Sequence, residues 1–155
     1  MSLEACWRHL TDVFPPQPRV RVRVVNTRGH PSITLNLMVD TGFSGYISLH
    51  KEAIGRLGLE PLGSASVLTA SGRVKTLLYV AKAEVLDADG NLQFTLSRHD
   101  QDSLVQTDAG AESLDVFPQD AVLIQDLGLP LIGLRALAAR NWLLFNTGNA
   151  FCLLR

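Results

Sequence analysis

Strict alternation of apolar and polar residues in two neighbouring segments constrains the fold more than any other feature of the sequence. Residues 19–24 read RVRVRV, and residues 33–39, ITLNLMV, repeat the alternation with aliphatic residues at every second position. Successive side chains of a β-strand point to opposite faces, so both segments are predicted to be strands with one apolar face turned to a core. The arginines of the first segment are interpreted as a solvated strand face rather than a phosphate-binding row, because the net charge is only -1.

The remaining sequence continues in short apolar segments that are typical of strands. The segments YISLH, VKTLLYVAKAEVL and AVLI are β-rich, and Asp89-Gly90 is a strong two-residue hairpin signal. The end of the chain, NWLLFNTGNAFCLLR, predicts a closing hairpin that turns at residues 147–149 and buries Trp142. Many short strands, few helices and no long βαβ unit predict an all-β, closed barrel.

Few helices are predicted, and two segments look like additions to the barrel. Apolar residues recur at helical spacing within residues 2–12, and FPPQP then ends that helix, which gives an N-terminal helix and Pro-rich linker over 1–18 and one domain over 19–155. KEAIGRLGL and the residues after Gly133 predict two further short helices. Residues 100–115 hold five acidic residues and no basic one, so an exposed loop or insertion is expected.

Composition narrows the classes of function. The 155 residues suffice for one domain with a sizeable core, and the near-neutral charge predicts no nucleic-acid partner. No apolar run approaches the ~20 residues of a membrane span, and the first residues hold no apolar signal core, so no membrane association and a cytoplasmic location are expected.

Metal-binding patterns are missing from the sequence. The four histidines fall on separate segments, and Cys6 and Cys152 are far apart, so no zinc spacing arises. The DADGN segment fails the calcium-loop pattern, because leucine and arginine occupy its sixth and twelfth positions. No metal and no cofactor are predicted. The two thiols are expected to be reduced, with an oxidative link within or between chains left open.

The segment MVDTGFSGYISL, residues 38–49, contains the chemistry-bearing motif. Asp40-Thr41-Gly42 comes directly at the end of the second alternating strand, and LPLIGLRAL follows about ninety residues later. Two interpretations of Asp40 stay open on the residues alone. It is either a catalytic carboxylate, or an aspartate that accepts hydrogen bonds from the N–H groups of its turn.

This pairing of motifs resembles the retropepsin-like aspartic proteases, above all their small single-domain bacterial members. The resemblance covers about residues 19–154. It implies a closed acid-protease β-barrel with one lobe per chain, in which Asp40-Thr41-Gly42 is the catalytic loop and Leu131-Ile132-Gly133 passes beside it. It also implies a flap, a hairpin over the substrate, with its tip near Ser71-Gly72. Arg135 departs from the family pattern, which often has an acidic or amide residue there.

The resemblance implies an aspartic endopeptidase, a hydrolase that acts as a homodimer on a peptide or protein substrate. Two carboxylates sharing one proton let one act as base toward a water while the other acts as acid, and a C₂ dimer places Asp40 opposite its own copy. Thr41 would contact the partner's loop through its hydroxyl, and Gly42 would permit the tight turn.

Substrate contacts are expected from Phe43 and Ser44 beside the catalytic loop and from Ser71 and Gly72 at the flap tip. Phe43 is interpreted as core or pocket wall in preference to a recognition group, whereas Ser44 is equally interpreted as a cap of the turn and Gly72 as an ordinary hairpin glycine. The alternative for the whole chain is a non-catalytic dimeric module that keeps the fold for peptide binding or scaffolding. The intact Asp40 favours the enzyme, because a fold kept only for binding has no need of that carboxylate.

Overall fold

The computed structural model describes residues 3–8, 18–69, 72–138, 143–146 and 150–154. The chain is mostly β, as the alternation predicts. The strands are β1 (Leu3–Arg8), β2 (Arg19–Val25), β3 (Ser32–Asp40), β4 (Ile47–Ser48), β5 (Gly63–Thr69), β6 (Gly72–Leu86), β7 (Leu92–Thr95), β8 (Leu104–Thr107), β9 (Gly110–Ser113), β10 (Ala121–Gln125), β11 (Leu131–Gly133), β12 (Leu143–Asn146) and β13 (Ala150–Leu154). The α-helices are α1 (Lys51–Arg56) and α2 (Leu134–Ala138), and a 3₁₀ turn spans Asp100–Ser103.

Six strands close into a barrel. They are hydrogen-bonded in the order β10-β4-β11-β3-β2-β6, and β6 pairs with β10 to complete the circle. Strand β5 extends the sheet beyond β6, and β7 also pairs with β6. Most pairs are antiparallel, but β11 runs parallel to β3, and β10 runs parallel to β4. The all-β closed barrel predicted from the sequence is therefore present.

The alternating segments supply the barrel's interior as predicted. The valines of β2 at positions 20, 22 and 24 are fully buried, whereas the arginines between them are half-buried on the other face. Arg23 forms an ion pair with Glu84 on β6, with the Nε atom 3.0 Å from a carboxylate oxygen. Leu37 on β3 is also fully buried, and its neighbours at positions 33, 35 and 39 pack against the same core.

Two hairpins extend from the long strand β6. Its first half pairs with β5 from Leu78 back to Gly72, and its second half pairs with β7. The turn before β7 contains Asp89-Gly90, as predicted, and Gly90 has a positive φ of 88°. Asp87 receives the backbone N–H groups of Asn91 and Asp89 on its carboxylate, and hydrogen bonding from Asn91 is the largest cause of its lowered pKa.

The predicted N-terminal helix is wrong for residues 3–8, which form strand β1. This strand pairs antiparallel with β13, which also pairs with β12, in a separate three-stranded sheet. Cross-strand pairing therefore decides the conformation of a segment whose apolar spacing alone favours a helix. The closing hairpin of β12 and β13 is confirmed, while its predicted turn and Trp142 lie outside the described residues. In backbone register Cys6 pairs with Cys152; the reduced state of both thiols stays a prediction.

The acidic segment 100–115 is a folded insertion rather than an open loop. It begins with the 3₁₀ turn and continues as the antiparallel hairpin of β8 and β9. Much of the segment is exposed, as expected, but Asp102 is only 8% exposed and Leu114 is buried. The hairpin contacts β5. The backbone N–H of Asp108 donates to the carbonyl oxygen of Ser64 at 2.7 Å, and Thr107 lies against Gly63.

Both short helices predicted within the barrel domain are present. Helix α1 buries Ile54 against the core, and α2 directly follows Gly133 and buries Ala136 and Leu137. Across the described part of the chain, every helix is too short to traverse a bilayer.

Candidate active site

Asp40 is the last residue of β3 and lies beside the LPLIG segment. In the parallel pair of β3 and β11, Met38, Val39 and Asp40 are in register with Leu131, Ile132 and Gly133. The two motifs singled out in the sequence, about ninety residues apart, are therefore neighbours in one sheet. Asp40 is half-buried, whereas Thr41 and Gly42 are exposed, so the motif lies at the surface of the chain.

A tight turn holds the Asp40 side chain. The backbone N–H of Gly42 donates to Asp40 Oδ1 at 2.9 Å, and the N–H of Phe43 donates to the Asp40 carbonyl oxygen at 3.2 Å. A Cβ on Gly42 would lie 3.2 Å from Asp40 Oδ1, which is tight against the same oxygen. The turn fixes the carboxylate, and this geometry suits both interpretations of Asp40, as a turn acceptor and as a positioned reactive group.

The residues after the turn are fixed to the start of α2 by three backbone hydrogen bonds. The N–H groups of Gly133, Leu134 and Arg135 donate to the carbonyl oxygens of Tyr46, Phe43 and Gly45, at 2.8, 2.8 and 3.2 Å. We call residues 40–46 the Asp40 loop. It is anchored at one end by the β3–β11 pairing and at the other by these bonds, so the loop is a well-supported element rather than a free connection.

Phe43 packs inside this arrangement. Its ring and carbonyl oxygen lie against Gly133, where an added Cβ would be 2.6 Å from Phe43 Cδ2. Phe43 is half-buried, which matches its interpretation as a wall more than as a projecting recognition group. Ser44, by contrast, is exposed and borders two cavities.

A polar cluster next to the Asp40 loop was not singled out in the sequence. The Tyr46 hydroxyl donates to Asp102 Oδ2 at 2.5 Å and accepts the backbone N–H of His99 at 2.9 Å. Arg135 Nη1 donates to Asp102 Oδ1. The 3₁₀ turn of the insertion is thereby bound to the Asp40 loop through Tyr46 and to α2 through Arg135. The sequence drew attention to Arg135 as a departure from the family pattern, but it did not identify Asp102 as its partner.

Burial sets the ionisation of Tyr46. The side chain is almost completely buried, and its pKa is raised well above the ordinary value, first by burial and then by the hydrogen bond to Asp102. The hydroxyl therefore keeps its proton and acts as the donor to the carboxylate. This gives the buried Asp102 one neutral and one cationic donor, which satisfies a charge that burial alone would destabilise.

Two cavities flank the ion pair of Arg135 and Asp102 beside Ser44. One, of about 240 Å³, also has Tyr46 and aliphatic residues of the insertion in its lining. The other, of about 560 Å³, is lined by residues of the 3₁₀ turn and of α2, including His99 and Leu134. Ser44 therefore lies where a molecule bound along the Asp40 loop would meet either cavity.

The hairpin that was predicted to be a flap is present, while its role as a flap stays a prediction, and the site residues at its tip are only partly described. Strands β5 and β6 are paired as far as Thr69 and Gly72. Gly72 is exposed and has a φ of 113°, a backbone conformation that residues other than glycine rarely adopt. Ser71 lies outside the described residues. Asp40, Thr41, Gly42, Phe43 and Ser44 lie together because they are consecutive in the Asp40 loop. In the sheet order β2 lies between β3 and β6, so within one chain Gly72 is on a different part of the sheet.

The site offers a half-buried loop carboxylate and a polar cluster, which are resources for acid–base chemistry and hydrogen bonding. Among the described residues, no group of three or more histidine, cysteine or acidic side chains is arranged to hold a metal ion. No model of a known protein family matches the chain, and no curated protein matches its sequence.

Proposed function

We propose that the chain is a retropepsin-like aspartic endopeptidase that hydrolyses peptide bonds as a homodimer. The observation that carries the proposal is the Asp40 loop. It presents a half-buried carboxylate at the chain surface, fixed by the Gly42 N–H and supported by Gly133 in the adjacent parallel strand. The closed barrel and the β5–β6 hairpin that extends its sheet are compatible with this function.

The mechanism needs two carboxylates, and one chain contributes one. An isologous dimer would place Asp40 opposite its copy, because equivalent residues meet on a two-fold axis. Two carboxylates at such a short distance share one proton. The ionised one takes a proton from a water, which attacks the peptide carbonyl carbon, while the protonated one gives its proton to the carbonyl oxygen. The exposure of Thr41 and Gly42 leaves the loop accessible to a second chain.

The test is cleavage of a defined peptide library by the purified protein, with products identified by mass spectrometry. We expect discrete cleavage products at micromolar protein concentration. The competing function, a dimeric module that binds peptides without cleaving them, predicts peptide binding and an unchanged library. An unchanged library would therefore reject the endopeptidase.

A further inference from the structure

The cavity of about 240 Å³ beside the Asp40 loop is bounded on one side by the insertion. We call it the insertion pocket. Its polar lining includes Ser44, Asp102 and Arg135, whereas its aliphatic lining comes from the β8–β9 hairpin region and from β10. The aliphatic residues are Leu104, Val105, Leu114 and Leu123.

The position of the insertion pocket relative to Asp40 follows from the length of the chain between them. Ser44 lines the pocket and is four residues from Asp40, so their Cα atoms are at most about 14 Å apart. A peptide bound in extended form advances about 3.3 Å per residue. A side chain that enters the pocket therefore belongs to a residue within about four positions of a peptide bond held at Asp40.

The lining of the insertion pocket favours an apolar side chain over a cationic one. Asp102 already accepts hydrogen bonds from Tyr46 and Arg135, so its charge is compensated within the protein. An entering ammonium group would lose water without gaining an unengaged carboxylate at that wall. An aliphatic or aromatic group would instead be removed from water against the leucines and valine.

The size of the insertion pocket suits a large side chain. An apolar cavity of about 150 Å³ is enough for benzene, and this one is larger. Small side chains such as alanine would leave most of the volume unfilled and so lose packing contacts.

We propose that the insertion pocket is a substrate pocket for a large apolar side chain, such as leucine, methionine or phenylalanine, within about four residues of the scissile bond. The proposal rests on the proposed function, since it defines the pocket relative to a peptide held at Asp40. It also assigns a role to the insertion, which supplies one wall of the specificity site.

The test compares two leucine substitutions of matched exposure. Leu104 on β8 is 61% exposed and lines the pocket, whereas Leu92 on β7 is 52% exposed and does not. The library should show one position, within four of the cleaved bond, enriched in large apolar residues. Leu104→Glu should lower the ratio of kcat/KM for leucine over alanine at that position about tenfold or more, because a charge is introduced into an apolar lining. Leu92→Glu should leave the ratio unchanged.

A binding measurement separates this proposal from the proposed function. A blocked leucine-containing peptide is titrated into Asp40→Asn protein, with and without Leu104→Glu, by calorimetry. Cleavage with the same preferences in wild type, Leu104→Glu and Leu92→Glu would overturn the pocket and leave the endopeptidase standing. Binding that Leu104→Glu weakens, without any cleavage by the wild type, would support the pocket and reject the endopeptidase. Neither cleavage nor binding would overturn both.

Discussion

Gly133 lies directly opposite Asp40 in the parallel pair of β11 and β3, and the fold leaves no room for a side chain on it. A Cβ at position 133 would be 2.3 Å from the Gly45 carbonyl oxygen and 2.7 Å from that of Phe43. Both are backbone atoms of the Asp40 loop, so a larger residue could fit only if the loop moved. The glycine thus sets how closely the two motifs pack.

Gly133→Ala should therefore destabilise the protein. Overpacking of this kind costs about 1–3 kcal/mol, and here the atoms that must move are backbone. Gly55→Ala is the matched control, because a Cβ there meets nothing within 4 Å and the residue lies within helix α1. That control should raise the free energy of unfolding by about 0.5–1 kcal/mol. Urea unfolding followed by circular dichroism measures both; equal effects would contradict the close packing at Gly133.

Tyr46→Phe should destabilise the protein at neutral pH. The substitution removes the hydroxyl that donates to Asp102 and accepts from His99. Leaving a buried carboxylate with one donor fewer costs about 1–3 kcal/mol. The free energy of unfolding, measured at pH 7 for wild type and variant, tests this cost. A loss below a few tenths of a kcal/mol would show that the hydroxyl contributes little.

The alkaline stability profile should also change in Tyr46→Phe. The folded-state pKa of Tyr46 is raised above its ordinary value of 10.0, chiefly by burial, so the folded state keeps a proton that the unfolded state loses. The stabilisation is complete below pH 10 and is lost as pH rises above it, by up to about 1.4 kcal/mol per pH unit. The free energy of unfolding, measured between pH 8 and 11, should decline less steeply with pH in Tyr46→Phe than in the wild type. Parallel profiles would contradict a protonated, buried Tyr46.

The pattern of the sequence was sufficient to predict the barrel but not the contact between its two motifs. Alternation in β2 and β3 carries a direct signal, because one face of each strand must be buried. The approach of Gly133 to Asp40 was expected from the resemblance alone, since residues ninety positions apart leave no local pattern that predicts their contact. The catalytic role of Asp40 stays a prediction.

The sequence did not predict two features that depend on distant partners. Strand β1 has helical apolar spacing, and only its pairing with β13 makes it a strand. Asp102 lies in a segment that has the composition of an exposed acidic loop. It is nevertheless buried, and it is hydrogen-bonded to Tyr46 and Arg135 from other parts of the chain. Charge density along the chain cannot show which one of several carboxylates is paired.

Specific activity should depend on protein concentration. A single chain contributes one Asp40, so a dissociated chain lacks the second carboxylate that the mechanism requires. Hydrolysis per milligram should fall when the protein is diluted below the dimer dissociation constant. Sedimentation velocity over the same concentrations locates that constant. Undiminished specific activity of a monodisperse monomer would rule out the shared pair.

Asp40→Asn should abolish hydrolysis and leave the fold intact. The amide is nearly isosteric and its oxygen can still accept the Gly42 N–H, but it cannot act as a base. Asp89→Asn is the matched control, because Asp89 is exposed in the β6–β7 turn, which is a different element from the Asp40 loop. Circular dichroism spectra of both variants should match the wild type. Peptide turnover should persist only in Asp89→Asn, and turnover by pure Asp40→Asn would place the activity elsewhere.

The most direct measurement of a catalytic pair shared between two chains is the activity of mixtures. Wild type and Asp40→Asn are mixed in different proportions at constant total concentration, allowed to exchange subunits, and assayed for peptide hydrolysis. Random pairing predicts activity that follows the square of the wild-type fraction, so an equal mixture retains about a quarter of the wild-type rate, because mixed dimers hold one carboxylate. Mixtures with Asp89→Asn should keep the full rate. Activity that declines in direct proportion to the wild-type fraction would show that each chain acts alone and would contradict the account.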